Sequence, residues 1–402
     1  MNPNIDHLIL SAHIMGKKST NSIATIAQWV IFLVTNIFFV CKYVPRAGIN
    51  PLLVSLVYIT GVLACAYIYQ HKIAKCISEQ LARIISILLT IGILGSIACT
   101  IFLIDPYSLR VDRWSATTFF LDGLVQGIYP YGIHTHAAET NFPSPFPLWH
   151  YLNIPFWLIG DVGWIQAFFL LVFLGAIYYY FRSWRALLSA LLIIYISPAY
   201  WWEIVTRSDG FSNALLVCSC ILFMERYPIK MKDKWWLIAI ISGCIASTRL
   251  SAIIPIALYL FRPWMDASFE KKVGFVGIVV SIAFMFFAPY IFWDTETWIF
   301  FQRNPFMSQT SPGNTWLLVV MVIIAILIAY KKQTFYYFVS TTSAFIFCFM
   351  LVSQLGVIWS SPEPVTLFSI CCDISYFTLA LPYVIISLQL TSRTTVNPLS
   401  IS

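Results

Sequence analysis

IISILLTIGILGSIACTIFLI (84–104) runs straight into DPYSLRVDRWSATTFFLDGLVQGIYPYGIHTHAAETNFPSPFPLWHYLNIPFWLIGDVG (105–163), and that junction decides the fold. The first segment carries no charge over 21 residues. That is the length an α-helix needs to cross a hydrocarbon core of about 30 Å. The second is a polar island rich in Asp, His, Trp, Tyr and Pro. Runs like the first recur along the whole chain, whereas the island stands alone.

Working outward, apolar runs predict spans near 23–40, 51–70, 84–104, 164–181, 187–200, 209–224, 235–247, 250–261, 273–293, 315–330, 335–358 and 374–391. The chain is 59% hydrophobic and 10% charged, with a mean hydropathy of +0.80. Soluble domains are about one quarter charged, so that class is excluded. The runs are too long and too uniformly apolar for barrel strands, which leaves helices to satisfy the backbone in lipid. The expected fold is therefore all-α: a polytopic membrane protein of about 12 transmembrane helices with a large extracytoplasmic loop bearing interfacial helices. We treat 1–402 as a single membrane domain, with two N-terminal spans (1–83), a central module (84–310) and C-terminal spans (311–402). Residues 1–22 are polar and no small-residue cleavage motif follows the first run, so that span is expected to be retained.

The net charge of +7 is distributed unevenly. With both termini cytoplasmic, the inner segments hold 17 of the 24 basic and 6 of the 17 acidic residues. The balance is +11 inside and −4 outside, the asymmetry that orients membrane helices. The charge thus reports topology, and no nucleic-acid partner is expected. Lys42 and Arg46 run against the pattern. Residues 147–160 are apolar enough to cross, but crossing would invert every later loop. Two prolines in 14 residues fit an interfacial helix instead. Most of the ten cysteines lie within spans as small apolar residues, and none has zinc-ligand spacing.

Chemistry is therefore expected on the outer loops 105–163, 201–208, 294–314 and 359–373. In the first, Arg113 to Gln126 reads as an amphipathic helix with Trp114, Thr117, Leu121 and Leu124 on one face and Gly127 as its stop. Asp112 precedes it and suits an N-cap. Asp122, inside the helix, reads as solvated or locally paired. Tyr129, Tyr131, His134, His136 and Trp149 are candidate acceptor or loop contacts. In extended backbone His134 and His136 would face one side, as two metal ligands could; no nearby carboxylate completes the set, so loop packing or substrate contact is the favoured reading, with the metal left unknown and a divalent cation open. In the second loop Glu203 and Arg207 stand four apart, the spacing of a helical ion pair. Asp209 and Asn213 could cap the next span. The same charges beside Trp201 and Trp202 also suit a phosphate and a sugar ring, since Arg grips phosphate through two N–H groups. Arg249 lies in an apolar hairpin, where a charge needs a reason, either as a snorkelling anchor or as a phosphate contact. No acidic residue falls in the centre of a predicted span, which speaks against an ion-coupled transporter.

The order of these features resembles the GT-C superfamily of polytopic glycosyltransferases, which use polyprenyl-phosphate-linked sugars. The similarity lies in Val111-Asp112-Arg113-Trp114 after a span, the helix to Gln126, Gly127-Ile128-Tyr129-Pro130-Tyr131, and Pro143-Ser144-Pro145-Phe146-Pro147-Leu148-Trp149. It continues through Ser197-Pro198, Trp202-Glu203, Arg207-Ser208-Asp209, Gly243 to Arg249, and Trp293-Asp294 with Asn304-Pro305-Phe306. It covers about residues 84–310. Two extra spans precede the loop, and Asp112-Arg113 stands where the family has an acidic pair. No C-terminal soluble domain of the kind some members carry follows.

The resemblance implies inverting transfer from a polyprenyl-phosphate-linked sugar donor to a lipid, glycan or protein acceptor, among membrane lipids. Asp112 would be the general base, and Arg113, Glu203, Arg207, Asp209, Arg249 and Arg303 would contact the donor phosphate and sugar. A flippase or polymerase for lipid-linked saccharides, or a non-catalytic membrane subunit, is the alternative. The short loops point to a bacterial inner membrane.

Overall fold

The computed structural model describes residues 3–73, 76–227, 231–310, 315–331 and 334–396, and these are helical with no β-strand among them. In chain order the helices are α1 (Pro3–Tyr43), α2 (Pro51–Ile68), α3 (Glu79–Leu103), α4 (Arg113–Val125), α5 (Pro147–Leu158), α6 (Trp164–Phe181), α7 (Trp184–Tyr195), α8 (Pro198–Val205), α9 (Gly210–Arg226), α10 (Trp235–Ala246), α11 (Leu250–Met265), α12 (Phe269–Ile291), α13 (Ile299–Gln302), α14 (Pro305–Thr310), α15 (Thr315–Tyr330), α16 (Phe335–Ser360) and α17 (Leu381–Val396).

Seven segments among the described residues are long and apolar enough to cross a membrane: Ile23–Ala47, Pro51–Ile73, Glu79–Leu103, Trp164–Phe181, Phe269–Ile291, Phe335–Ser360 and Ile374–Thr391. The chain is thus an all-α, multi-pass protein. An eighth crossing arises if α7 and α8, bent by 72° at their junction, count as one span. The remaining four expected spans coincide with α9, α10, α11 and α15, helices of 12 to 17 residues. Apolar side chains such as Leu52, Leu56, Leu88 and Phe284 face outward. A bilayer would cover them; water would not.

Local sequence sets the breaks. Asn50 caps α2 by accepting from the Leu52 and Leu53 amides, with Pro51 in the first turn where its missing N–H costs nothing. Ser78 caps α3. Ser197-Pro198 breaks α7 from α8, and a buried Asn36 on α1 holds the break. Its Oδ1 accepts from Ser197 Oγ at 2.6 Å and from the Ala199 amide at 3.0 Å. The bend delivers Glu203 and Arg207 to the island.

The core joins α6 to α9, with Phe169, Phe173 and Ile177 buried alongside Leu215, Cys218 and Leu222; α3 packs on α7, α10 on α12, and α16 on α17. Polar contacts tie the connecting segments together. The Phe146 and Leu148 amides donate to the Thr248 and Ser247 carbonyls, Tyr129 donates to the Arg303 carbonyl, and Arg113 pairs with Asp373. Elsewhere Ser183 and the Trp184 amide donate to Glu79, Lys271 donates to the Lys232 carbonyl, and Arg262 to the Tyr330 carbonyl.

Candidate functional site

The island lies folded over one end of the bundle. Helix α4 ends where expected: Gly127 takes a left-handed φ of 72°, and the Ile128 amide returns to the Gly123 carbonyl at 2.9 Å. Its burial is wider than one stripe, with Ser115, Ala116, Thr117, Phe120, Leu121 and Gly123 all enclosed. Helix α5 has 12 residues and does not reach spanning length.

Asp112 is half-buried at the start of α4 and makes no side-chain cap. Its ψ of 2° lies outside the extended region in which a capping carboxylate reaches the N2 or N3 amide. Instead Asn141 donates from Nδ2 to Asp112 Oδ2 at 3.0 Å. The segment carrying Asn141 is fixed in turn: the Thr135 amide donates to the Asn141 carbonyl, and the Asn141 amide to the Ala138 carbonyl. Asn141 was not legible as a site residue, because nothing in its spacing links it to a carboxylate 29 positions earlier.

The two histidines part company. His134 is exposed and lies against Phe142, 4.6 Å between centroids. His136 uses both ring nitrogens within the protein, Nδ1 with Ser115 Oγ at 2.6 Å and Nε2 with the Leu109 carbonyl at 2.9 Å. Among the described residues no group of three His, Cys, Asp or Glu side chains could hold a metal ion.

Tyr129, Tyr131 and Trp149 are buried. Tyr129 donates to the Arg303 carbonyl at 2.6 Å, Tyr131 to the Pro145 carbonyl at 3.1 Å, and Trp149 stacks on Phe169. In this conformation they hold the island down. Asp122 accepts from Trp157 Nε1 at 2.9 Å and so clasps α5 to α4.

The arginines are already engaged, except at the rim. Arg113 pairs with Asp373, donates to Ser375 Oγ at 3.0 Å and faces the Tyr376 ring at 5.4 Å. Glu203 and Arg207 do not pair; four-residue spacing fails because α8 ends at Val205 and Arg207 has a left-handed φ of 50°. Arg207 instead pairs through Nε with Asp161 at 3.1 Å and donates from Nη2 to the Thr100, Ile101 and Ile104 carbonyls, closing the end of α3. Burial pushes the Asp161 carboxyl above its ordinary range, against the opposing pull of the Gly163 amide and Arg207. Buried Glu203 accepts from the Phe211 amide at 3.4 Å. Arg249 does not snorkel: it is 2% exposed and both carboxylate oxygens of Asp209 accept from its Nη2. Arg303 is exposed, its guanidinium 4.2 Å above the Phe142 ring.

His150 completes the cluster and was not singled out by sequence. It is fully buried, stacks on Phe120 at 3.6 Å with an interplanar angle of 5°, and donates from Nε2 to the Pro145 carbonyl at 3.2 Å. Burial drives its pKa down to about 3, with Asp209 opposing and Arg249 assisting. It is a neutral imidazole at physiological pH.

Comparison with protein-family models, with curated proteins and with solved structures gives no match for this chain.

Proposed function

We propose that the protein is a membrane glycosyltransferase that moves a sugar from a polyprenyl-phosphate carrier to an acceptor hydroxyl, with inversion. The observation that carries this reading is the state of Asp112. It is a half-buried carboxylate, spared from capping, oriented by Asn141 and set beside the Arg113 guanidinium, on which Asp209 and Glu203 also act. Helix capping is the ordinary use of an Asp before a helix, and here that use is absent.

Asp112 takes the acceptor proton while the hydroxyl oxygen forms its bond to the anomeric carbon. The bond from that carbon to the phosphate oxygen breaks, and the electron pair leaves with the lipid phosphate. Charge growing on the phosphate calls for fixed cations. Arg113 beside Asp112 and Arg303 at the rim serve this role most directly. Arg207 and Arg249, with Glu203 and Asp209, hold the frame and set its field. Tyr129, Tyr131, His134, His136 and Trp149 shape the acceptor side.

In this reading the chain crosses the membrane about twelve times, with both termini in the cytoplasm and the island outside a bacterial inner membrane. The charge asymmetry supports that orientation. The deciding experiment compares lipid-linked sugar turnover by wild type and Asp112→Asn at matched membrane levels. Loss of transfer with accumulation of the lipid donor supports the reading. Unchanged turnover refutes Asp112 as base and favours a flippase or a non-catalytic subunit.

A further inference from the structure

The two basic residues that break the charge asymmetry, Lys42 and Arg46, lie at the island end of α1. Lys42 Nζ donates to the Ser369 and Cys372 carbonyls at 3.2 and 2.7 Å. Arg46 is exposed, with its guanidinium 4.7 Å over the Tyr43 ring, and it has no ion pair among the described residues. Arg46 lies close enough to act electrostatically on the Lys42 ammonium, and Arg46, Glu203 and Arg113 all act on the Tyr43 hydroxyl. Tyr43 stacks on Trp202 at 5.2 Å and 29°.

Lys42 and Arg46 are therefore neighbours at the Tyr43 end of this stack, and neither is bonded to a carboxylate among the described residues, whereas Arg113 is matched by Asp373 and acted on by Asp112. Like charges held together at a membrane surface repel, and a gathered set is stabilised by an anion that bridges it. The neighbouring wall is apolar and outward-facing: Ile49, just before α2, and Leu52, Leu53 and Leu56 at its start are each at least half exposed. A ligand suited to both surfaces carries a phosphate and a long hydrocarbon chain.

We propose that Lys42 and Arg46, at the Tyr43 end of the Tyr43–Trp202 stack, bind the phosphate of a membrane lipid whose chain lies along α2. The site adds a lipid-phosphate anchor built from α1. It rests on the transfer reading only in that a carrier lipid is one of the two sources such a phosphate can come from, the other being bulk phospholipid.

The test uses the detergent-purified full-length protein, titrated with a polyprenyl phosphate, phosphatidylglycerol or inorganic phosphate and examined by native mass spectrometry. Wild type is expected to retain a lipid phosphate. Arg46→Gln is expected to weaken that binding about tenfold and Lys42→Gln plus Arg46→Gln further, while Arg226→Gln at the opposite end leaves it unchanged. Tighter binding of the polyprenyl phosphate identifies the carrier as occupant; tighter binding of phosphatidylglycerol identifies bulk lipid. Because Lys42 also braces the 369–372 segment, Arg46→Gln alone carries the test if the double variant fails to fold. No lipid bound by wild type, or equal binding by wild type and Arg46→Gln, overturns the proposal. Sugar transfer is assayed on the same preparations. Transfer that persists with binding indifferent to Arg46 removes this site and leaves the transfer reading standing. Arg46-dependent binding without transfer does the reverse.

Discussion

Asn141 donates a hydrogen bond to the Oδ2 atom of Asp112 at 3.0 Å, leaving Oδ1 without a partner among the described residues. A general base needs an oxygen aimed at the acceptor and a carboxylate that does not rotate away. Positioned proton transfer contributes about 10²–10⁴-fold, so Asp112→Asn is expected to lower kcat by that factor. Asn141→Ala removes one neutral-to-charged hydrogen bond and should lower kcat about tenfold with KM little changed. Single-turnover kinetics on lipid-linked sugar read both. A matching drop in folded protein for Asn141→Ala would assign Asn141 to stability instead.

Asp209 and Arg249 form a buried pair joining the start of α9 to the turn between α10 and α11. Removing one partner strands a buried charge, which costs about 3–5 kcal/mol. Arg249→Met alone is thus expected to lower the thermal midpoint in detergent sharply. Arg249→Met with Asp209→Leu should recover much of the loss. If the double variant is as unstable as the single, the pair contributes through its geometry and not through charge compensation.

The all-α, multi-pass character was legible because uncharged runs of spanning length leave the backbone no other solution in lipid. That α5 stays short of spanning length was legible from its two prolines, and the end of α4 from Gly127. The number of crossings was harder to read: α10 and α11, with 12 and 16 residues, have the composition of spans without the length. Pairings across the fold were not legible at all. Arg249 meets Asp209 40 residues away because the hairpin docks on the Pro-rich segment, and Arg113 meets Asp373 across 260 residues. Even Asp112, whose position fitted a cap, turned on a single ψ angle that spacing does not encode.

Gly243 is a packing contact between α10 and α12. A Cβ placed there would lie 2.9 Å from Ile282 Cβ and 3.3 Å from Val279 Cα, the latter backbone that cannot rotate aside. Small residues let apolar helices approach closely where no hydrophobic gain drives them together. Gly243→Val should therefore part the two helices and cost about 1–3 kcal/mol. Gly277→Val on α12, where a Cβ would meet open space, is the control. Equal stability of the two variants in a detergent unfolding assay would show that α10 and α12 adjust without cost.

His150 makes stability depend on pH in a direction its burial fixes. Its folded pKa, about 3, lies below the ordinary value of 6.5, so the unfolded chain binds the proton more readily. The stabilising difference is present in full above about pH 6.5 and is lost as pH falls from there toward 3. While only the unfolded state takes up the proton, the loss is at most about 1.4 kcal/mol per pH unit. His150→Gln keeps a donor near the Pro145 carbonyl but cannot titrate. It is expected to be less stable at pH 8, having lost the stack on Phe120, and to decline less steeply between pH 6.5 and 4. The measurement is thermal unfolding of both proteins in detergent across that range. Parallel declines would mean that His150 stays uncharged in the unfolded chain as well, or that the folded protein admits the proton at no cost.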